Sequence, residues 1–274
     1  MKRNWIWMLA GTAMLLNGCA TLTLTDASVA GPADAPLPRV SDDVSGGTLV
    51  VRPYVVMADE ELVRGEIGDR YDDEPARFSW TVPAQQIGGS IDFVMSRNLA
   101  IVVGGNYARD DFDDYWGGSL GLALFETRSP TIAWRIDATL ALQEMAYTAG
   151  FIAEPFFDGP SEALSFAKTD ALRNTSVMMT LNTRMDGPFN LFINGGLGSK
   201  KYFDFDSAEV FGSGDQLDFT GRYAFWSPGV FFSLDGHNRL LAGVRFYHPE
   251  EIRGDDPVLR QFFMQLELPL GGGR

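Results

Sequence analysis

The sequence is poor in the residues that build most metal and redox centres. It holds a single cysteine and two histidines, so it can form no internal disulfide and cannot supply the several Cys or His ligands of a zinc site. We therefore expect neither a metal centre nor a cofactor. Basic residues are also in deficit, since 22 Lys and Arg against 36 Asp and Glu give a formal net charge of −14. Nucleic-acid binding needs clustered cations, so nucleic acid is not an expected partner.

Long apolar runs are missing as well. Beyond the start of the chain, no segment approaches the roughly 18 apolar residues that indicate a transmembrane helix. Glycine, at 30 residues, and aromatic residues, at 12%, are abundant, whereas the 3.6-residue periodicity of amphipathic helices is hard to find. Together these features favour an all-β protein.

The start of the chain has the organisation of an export signal. Lys2 and Arg3 precede an apolar stretch from Trp5 to Leu16, which fits a signal-peptide core but is too short to span a bilayer. Leu16-Asn17-Gly18-Cys19 closes this stretch and resembles the lipobox of bacterial lipoproteins. The resemblance implies cleavage before Cys19 and a lipid on that cysteine. An ordinary secretory signal with a chance cysteine is the alternative.

The resemblance also bears on location and domain organisation. Ala20, rather than Asp, follows the cysteine, which in lipoproteins implies sorting to the outer membrane. Residues 1–18 are then the signal peptide. Residues 19–47, rich in Thr, Ala, Asp and Pro, are expected to be a flexible tether. Residues 48–270 form the folded domain.

Segments of alternating apolar and polar residues recur through this domain. The clearest is Thr131–Gln143, with Trp134 and Ile136 on one face and Arg135 and Asp137 on the other. A period of two residues predicts a β-strand between two very different environments. The other nine predicted strands are Thr48–Met57, Gln86–Ser96, Asn98–Tyr107, Tyr115–Phe125, Thr175–Met185, Phe189–Gly198, Phe219–Leu234, Arg239–Tyr247 and Leu259–Leu270. A change of parity near Ser227-Pro228 predicts a bulge in the eighth of the ten.

Tight and long connections alternate between these strands. Asp186–Pro188 is a tight turn, whereas Ala58–Gln85 and Ala146–Asp170 are long connections. This alternation is typical of outer-membrane barrels, whose periplasmic turns are short and whose extracellular loops are long. Over Thr48 to Leu270 the chain therefore resembles, in architecture, the ten-stranded members of the outer-membrane β-barrel superfamily.

The resemblance implies a ten-stranded antiparallel transmembrane barrel with membrane lipid outside and a polar lumen inside. Both ends of the barrel chain would lie on the periplasmic side, where the lipid of Cys19 would enter the inner leaflet of the outer membrane. The alternative is a tethered soluble β-barrel or sandwich that acts as a binding module. A soluble barrel would, however, have to bury charges such as Arg135 and Asp137 in an apolar core, at a high cost.

The polar strand faces supply the charged residues of the predicted lumen. These residues are Arg52, Asp92, Arg135, Asp137, Arg184, Arg245 and Glu267. Arg52 and Glu267 fall at a similar height on the first and last strands, which barrel closure makes neighbours. The set predicts either a narrow polar conduit or a salt-bridge network that fills the barrel. The network is favoured because ten strands enclose little room.

The long connections are acidic. Asp72-Asp73-Glu74, Asp110-Asp111 and Asp255-Asp256 are expected to be solvated, with divalent cations that bridge them to lipopolysaccharide as the alternative. His248, Glu250 and Glu251 would share this rim with Asp110–Asp114, so an outer-rim hydrolase of omptin-like architecture is a further alternative. Because no catalytic motif accompanies these residues, we expect a non-catalytic protein with a structural or interaction role, or a narrow conduit.

Overall fold

The computed structural model describes residues 20–33, 36–39, 45–58, 62–67, 75–109, 113–126, 131–155, 160–183, 189–206, 216–234, 238–250, 252 and 258–271. Every regular element in these ranges is a β-strand, and none of the described segments forms a helix with the length and apolarity to cross a membrane. The strands are β1 (Ala20–Ala30), β2 (Leu49–Ala58), β3 (Leu62–Ile67), β4 (Ala76–Thr81), β5 (Gln85–Ser96), β6 (Leu99–Arg109), β7 (Asp114–Glu126), β8 (Ile132–Pro155), β9 (Glu162–Thr183), β10 (Phe189–Asp206), β11 (Gln216–Ser233), β12 (Arg239–Pro249) and β13 (Leu259–Leu270).

Ten of these strands close into an antiparallel barrel. β2 pairs with β5, each strand from β5 to β13 pairs with the next, and β13 returns to β2. The closing seam sets Met264 opposite Val55 and Leu270 opposite Leu49. The predicted all-β, ten-stranded antiparallel barrel is confirmed.

The outer surface of the barrel carries a continuous apolar belt. On β7, Leu120 is 57% exposed and its outward neighbours Leu122 and Leu124 are similarly exposed, whereas Ala123 and Phe125 are buried inside. Aromatic pairs flank the belt, with Tyr107–Trp116 near the long connections and Phe189–Phe232 near the tight turns. Such a belt with aromatic girdles fits a bilayer and would be an aggregation liability in water. A soluble barrel is therefore not supported.

One hairpin rises far above the belt. β8 and β9 stay paired as far as Ala153 opposite Glu162, whereas β7 leaves β8 at Gln143. The predicted long connection Ala146–Asp170 is thus mostly strand. Its small and β-branched residues continue the two-residue alternation, which hides where the membrane-spanning part of each strand ends.

β1 takes the place of β7 beside this hairpin. It runs antiparallel to β8, with Ala30 opposite Ala146 and Ala20 opposite Pro155. Residues 20–30, assigned to a flexible tether on composition, are instead a strand. Their Thr-Leu alternation supplies a β-strand pattern, and the edge of β8 left free above Gln143 supplies the hydrogen-bond partner.

β4 and β3 extend the same sheet. β4 runs parallel to β1, with Ser79 opposite Ser28, and β3 pairs antiparallel with β4. Both strands lie within the predicted long connection Ala58–Gln85. Their inward side chains, among them Phe78 and Trp80 of β4, pack with those of β1 on aromatic residues at the mouth of the barrel: Tyr202, Tyr223 and Tyr247. The barrel is therefore covered at this end by its own chain.

The bulge predicted at Ser227-Pro228 is wrong. β11 keeps one register with β10 through Ser227 and Pro228, and the shift lies instead between Lys201 and Phe203. The apparent change of parity arises because β11 is apolar on both faces. Phe225 and Phe231 are buried in the barrel, whereas Trp226 faces outward.

Candidate functional site: a lumen filled by the N-terminal segment

The chain between β1 and β2 passes through the barrel. We call its described residues, 31–33 and 36–39, the lumen segment. Three of its carbonyl oxygens accept hydrogen bonds from buried side chains of the wall. Lys200 Nζ donates to Pro32 O, Arg245 Nη2 to Pro36 O at 2.6 Å, and Gln265 Nε2 to Pro38 O at 3.0 Å. Because proline has no N–H group, the backbone of each of these residues needs only a hydrogen-bond donor for its carbonyl oxygen, and a side chain of the wall supplies that donor.

A glycine marks the point at which the chain leaves β1 and enters the lumen. Gly31 has a φ of 149°, and a Cβ at this position would lie 2.4 Å from Met145 Sδ. Its N–H donates to Thr81 O at 3.0 Å, and its carbonyl accepts from Trp80 Nε1 at 2.9 Å. The backbone conformation requires glycine here, and a Cβ would also displace the end of the buried Met145 side chain.

At the other end of the lumen segment, Arg39 enters a buried chain of alternating charges. Its Nη1 lies 2.8 Å from Asp137 Oδ1, which also accepts from Arg135 Nη2 at 2.8 Å. Arg135 Nη1 reaches Asp92 Oδ2 at 2.6 Å. Each carboxylate in this chain of alternating charges therefore has a guanidinium group on either side. Such an arrangement offsets the desolvation of buried charges.

The charge chain continues to the closing seam of the barrel. Asp92 Oδ1 lies 2.6 Å from Arg52 Nη1, and Arg52 Nε donates to Glu267 Oε1 at 2.6 Å. Arg239 Nη1 approaches the other Glu267 oxygen at 4.0 Å. Arg52 and Glu267, expected to become neighbours on closure, thus link the first and last barrel strands.

Six of the seven charged residues predicted for the lumen are at most 3% exposed, and five of them belong to this network. They are Arg52, Asp92, Arg135, Asp137 and Glu267. Arg245 lies apart from them, bonded to Pro36 O and with its guanidinium 5.5 Å from the centre of the Phe225 ring. Arg184 lies outside the described residues. Sequence reasoning missed Arg39, although it is the only Lys or Arg between Ala20 and Gly47.

The lumen is less polar than the sequence indicates. Leu37 of the lumen segment is buried among Val56, Phe192, Phe231, Leu241 and Phe263. A second apolar cluster, which includes Val50 and Phe125, lies near the tight turns. Each inward aromatic residue sits on a strand whose outward face is also apolar, so a period of two residues cannot show which side it occupies.

A small cavity lies between the lumen segment and the glycine-rich wall of β5, β6 and β7. Its volume is about 70 Å³, and Ser119, Thr139 and Gln143 supply polar groups to its lining. Space of this size holds a few water molecules. A Cβ on Gly117 would overlap Gln143 Oε1, so the glycine makes room for that side chain.

The outer rim shows a mixed outcome for the predicted residues. His248 lies on the outward face of β12, opposite Ala224, and Glu250 pairs with Arg222 at 3.8 Å. Asp110, Asp111, Glu251 and the acidic runs 72–74 and 255–256 lie outside the described residues. Within the part of the chain that is described, no group of three or more His, Cys, Asp or Glu residues is placed to hold a metal ion.

The sequence matches no protein-family model and no curated protein. Solved structures with a similar arrangement include the outer membrane protease OmpT from Escherichia coli, with a TM-score of 0.45, 8% identity, and coverage of 84% of this chain and 97% of that one. The N-terminal β-barrel domain of Pseudomonas aeruginosa OprF has a TM-score of 0.33 at 8% identity, with 82% and 98% covered. The translocator domain of the autotransporter NalP from Neisseria meningitidis has a TM-score of 0.35 and 8% identity, and the match covers 82% of this chain and 88% of that one.

These likenesses concern architecture alone, and strand pairing and the outward apolar belt carry the assignment. By those two criteria the chain has the fold of an outer-membrane β-barrel.

Proposed function

We propose that this chain is an outer-membrane lipoprotein whose barrel is a closed anchor for the β-structure built on its long-connection end. The observation that carries the proposal is the occupied lumen. Four wall residues, Lys200, Arg245, Gln265 and Asp137, bond to the lumen segment. A general diffusion pore needs an open lumen, and ten strands leave little space beside a bound peptide.

The filling of the barrel supports an anchoring role over a conducting one. Burying the five close ion pairs of the charge chain inside a barrel stabilises it only when every partner is in place. A hydrated ion would have to displace the Leu37 cluster, the Arg39–Asp137 pair, or both. The alternative of a narrow conduit therefore requires the lumen segment to leave.

The lipid on Cys19 is part of the proposal. Cys19 lies outside the described residues, and the support for its modification is the tetrapeptide Leu16-Asn17-Gly18-Cys19. Membrane lipid and lipopolysaccharide are the partners that the apolar belt and the outer rim would meet. Cell fractionation with mass analysis of the N-terminal peptide tests this part, and a peptide from the outer-membrane fraction that lacks the acyl mass would contradict it.

Planar-bilayer recording tests the closed state. The folded fraction, identified by a mobility shift between boiled and unboiled samples, is reconstituted beside a general porin as positive control. We expect no steady conductance from the wild-type protein at concentrations at which the porin gives regular steps. Reproducible unitary openings of the wild-type protein would overturn the closed-anchor function and support the conduit.

A further inference from the structure

We infer that the N-terminal segment runs outward through its own barrel, so that the residues next to Cys19 lie on the cell surface. The protein would then carry its lipid in the outer leaflet and not on the periplasmic side. The inference on the path of the chain stands on the described residues, and only the placement of the lipid rests on the proposed function.

The first step is that the two ends of the segment lie at opposite ends of the barrel. Ala20 pairs with Pro155, the last residue of β8. Twelve residues separate Pro155 from Gln143, the last β8 residue that pairs with β7, which is about 40 Å along an extended strand. Ala20 therefore lies well beyond the apolar belt, on the side of the long connections.

The second step is the other end of the segment. Gly47 N donates to Val94 O at 2.8 Å, and Val94 N donates to Thr48 O at 3.0 Å. Val94 is close to the tight turn between β5 and β6, whose first strand ends at Ser96 and whose second begins at Leu99. The chain thus enters β2 at the tight-turn end.

The third step is the order of contacts between these ends. Pro32 meets Lys200 in the upper part of β10, Pro36 and Pro38 meet Arg245 and Gln265 of β12 and β13, and Arg39 meets Asp137 near the start of β8. The contacts descend through the lumen in the order of the sequence. The described residues of the segment therefore follow one another through the barrel, from the long-connection end towards the tight-turn end.

The last step is the orientation of the barrel in the membrane. Outer-membrane barrels insert with short turns in the periplasm and long connections outside. Applied to this chain, that rule places Thr48 in the periplasm and β1 outside. The sequence-based expectation of a periplasmic N-terminus assumed a tether that leaves from the tight-turn end, which the β1–β8 pairing does not support.

A consequence concerns assembly. A closed ten-stranded barrel encloses little room, and Phe192, Phe231 and Phe263 of its wall are buried inside it, so β1 could not be drawn through the finished barrel. The β2–β13 seam must therefore close around a segment that is already in place. Arg52 and Glu267 at that seam join the same buried charge chain as Arg39, so closure of the wall and seating of the segment are coupled.

Cysteine labelling on intact cells tests the inference. Thr23→Cys and Ser45→Cys place an exposed cysteine at the two ends of the same segment, and a membrane-impermeant maleimide is applied before and after the outer membrane is permeabilised. We expect position 23 to react on intact cells and position 45 to react only after permeabilisation. A heat-dependent mobility shift confirms that each variant is folded.

The outcomes separate the two proposals. Protection of position 23 on intact cells, with labelling of both positions after permeabilisation, would overturn the outward path. The parent chain, with Cys19 alone, should stay unlabelled if that thiol carries a lipid. Labelling of the parent at Cys19, assigned by peptide mapping, would refute the lipid but leave the comparison of positions 23 and 45 valid.

Discussion

Arg39 Nη1 and Asp137 Oδ1 form a 2.8 Å hydrogen bond across 98 positions of sequence, inside the barrel. The same carboxylate also accepts from Arg135 of its own strand. Asp137 therefore has two roles. It clamps the lumen segment to the wall, and it completes the charge chain. Its loss would leave two buried guanidinium groups short of an acceptor.

The first prediction concerns this clamp. Asp137→Asn should lower the free energy of unfolding by about 3–5 kcal/mol, because breaking one member of a buried ion-pair network leaves uncompensated charge. Urea titration of the protein in lipid vesicles, followed by tryptophan fluorescence, measures the change.

Asp114→Asn is the matched control for the clamp. It removes the exposed Arg109–Asp114 pair at 3.6 Å, and an exposed pair contributes about 1 kcal/mol or less. Equal unfolding midpoints for the two variants would show that Asp137 does not hold the segment.

The second prediction concerns the turn into the lumen. Gly31→Ala introduces a Cβ where Met145 Sδ lies 2.4 Å away and where φ is positive. We expect the substitution to destabilise the folded protein by about 1–3 kcal/mol, because β1 docks less tightly over the barrel. Limited proteolysis of the folded protein should then cut residues 20–33 faster than in the parent.

Gly47→Ala controls for backbone conformation alone in that experiment. Gly47 also has a positive φ, of 89°, but its Cβ would meet nothing within 4 Å. If Gly31→Ala and Gly47→Ala left residues 20–33 equally resistant to protease, the close packing of β1 over the barrel would be refuted.

The third prediction concerns the apolar belt. Leu120 lies at the middle of the outward face of β7, and Leu120→Arg should destabilise the inserted barrel by about 2–4 kcal/mol, the cost of a cation near the bilayer midplane. Unfolding from lipid vesicles measures it. Ala167 lies on the exposed upper part of β9, opposite Thr148. Ala167→Arg places its charge in water and should change the stability of the barrel little. If Leu120→Arg left the unfolding of the barrel unchanged, the outward face of β7 would lie outside the bilayer.

The ten barrel strands could be predicted because most of them separate two contrasting environments. Ile132, Trp134 and Ile136 face out, while Arg135 and Asp137 face in. The alternation of apolar and charged residues along the sequence shows the two environments directly. The charged lumen residues follow from the same pattern. Six of the seven are buried in the barrel, with Arg184 outside the described residues.

The path of residues 20–39 could not be predicted in the same way. Thr21 to Thr25 alternate like a strand, but the partner of that strand is the upper edge of β8, which exists only once the hairpin has extended above the barrel. The prolines of the lumen segment indicate irregular chain, which is correct. The donors that hold it, on Lys200, Arg245 and Gln265, come from three distant strands, and no local pattern joins them.

A cross-strand disulfide between β1 and β8 tests the central claim most directly. Ser28 lies opposite Thr148 in the antiparallel register, and directly opposed residues are about 4.5–5.5 Å apart at Cα, within the range of a disulfide. Ser28→Cys with Thr148→Cys should oxidise in folded protein to one intramolecular bond, seen as faster migration of the unfolded chain without reductant. Ser28→Cys with Ser45→Cys, at opposite ends of the barrel, should not. Failure of the first pair to form the bond, or its formation by the second, would contradict an N-terminal segment that passes through the lumen to pair with β8.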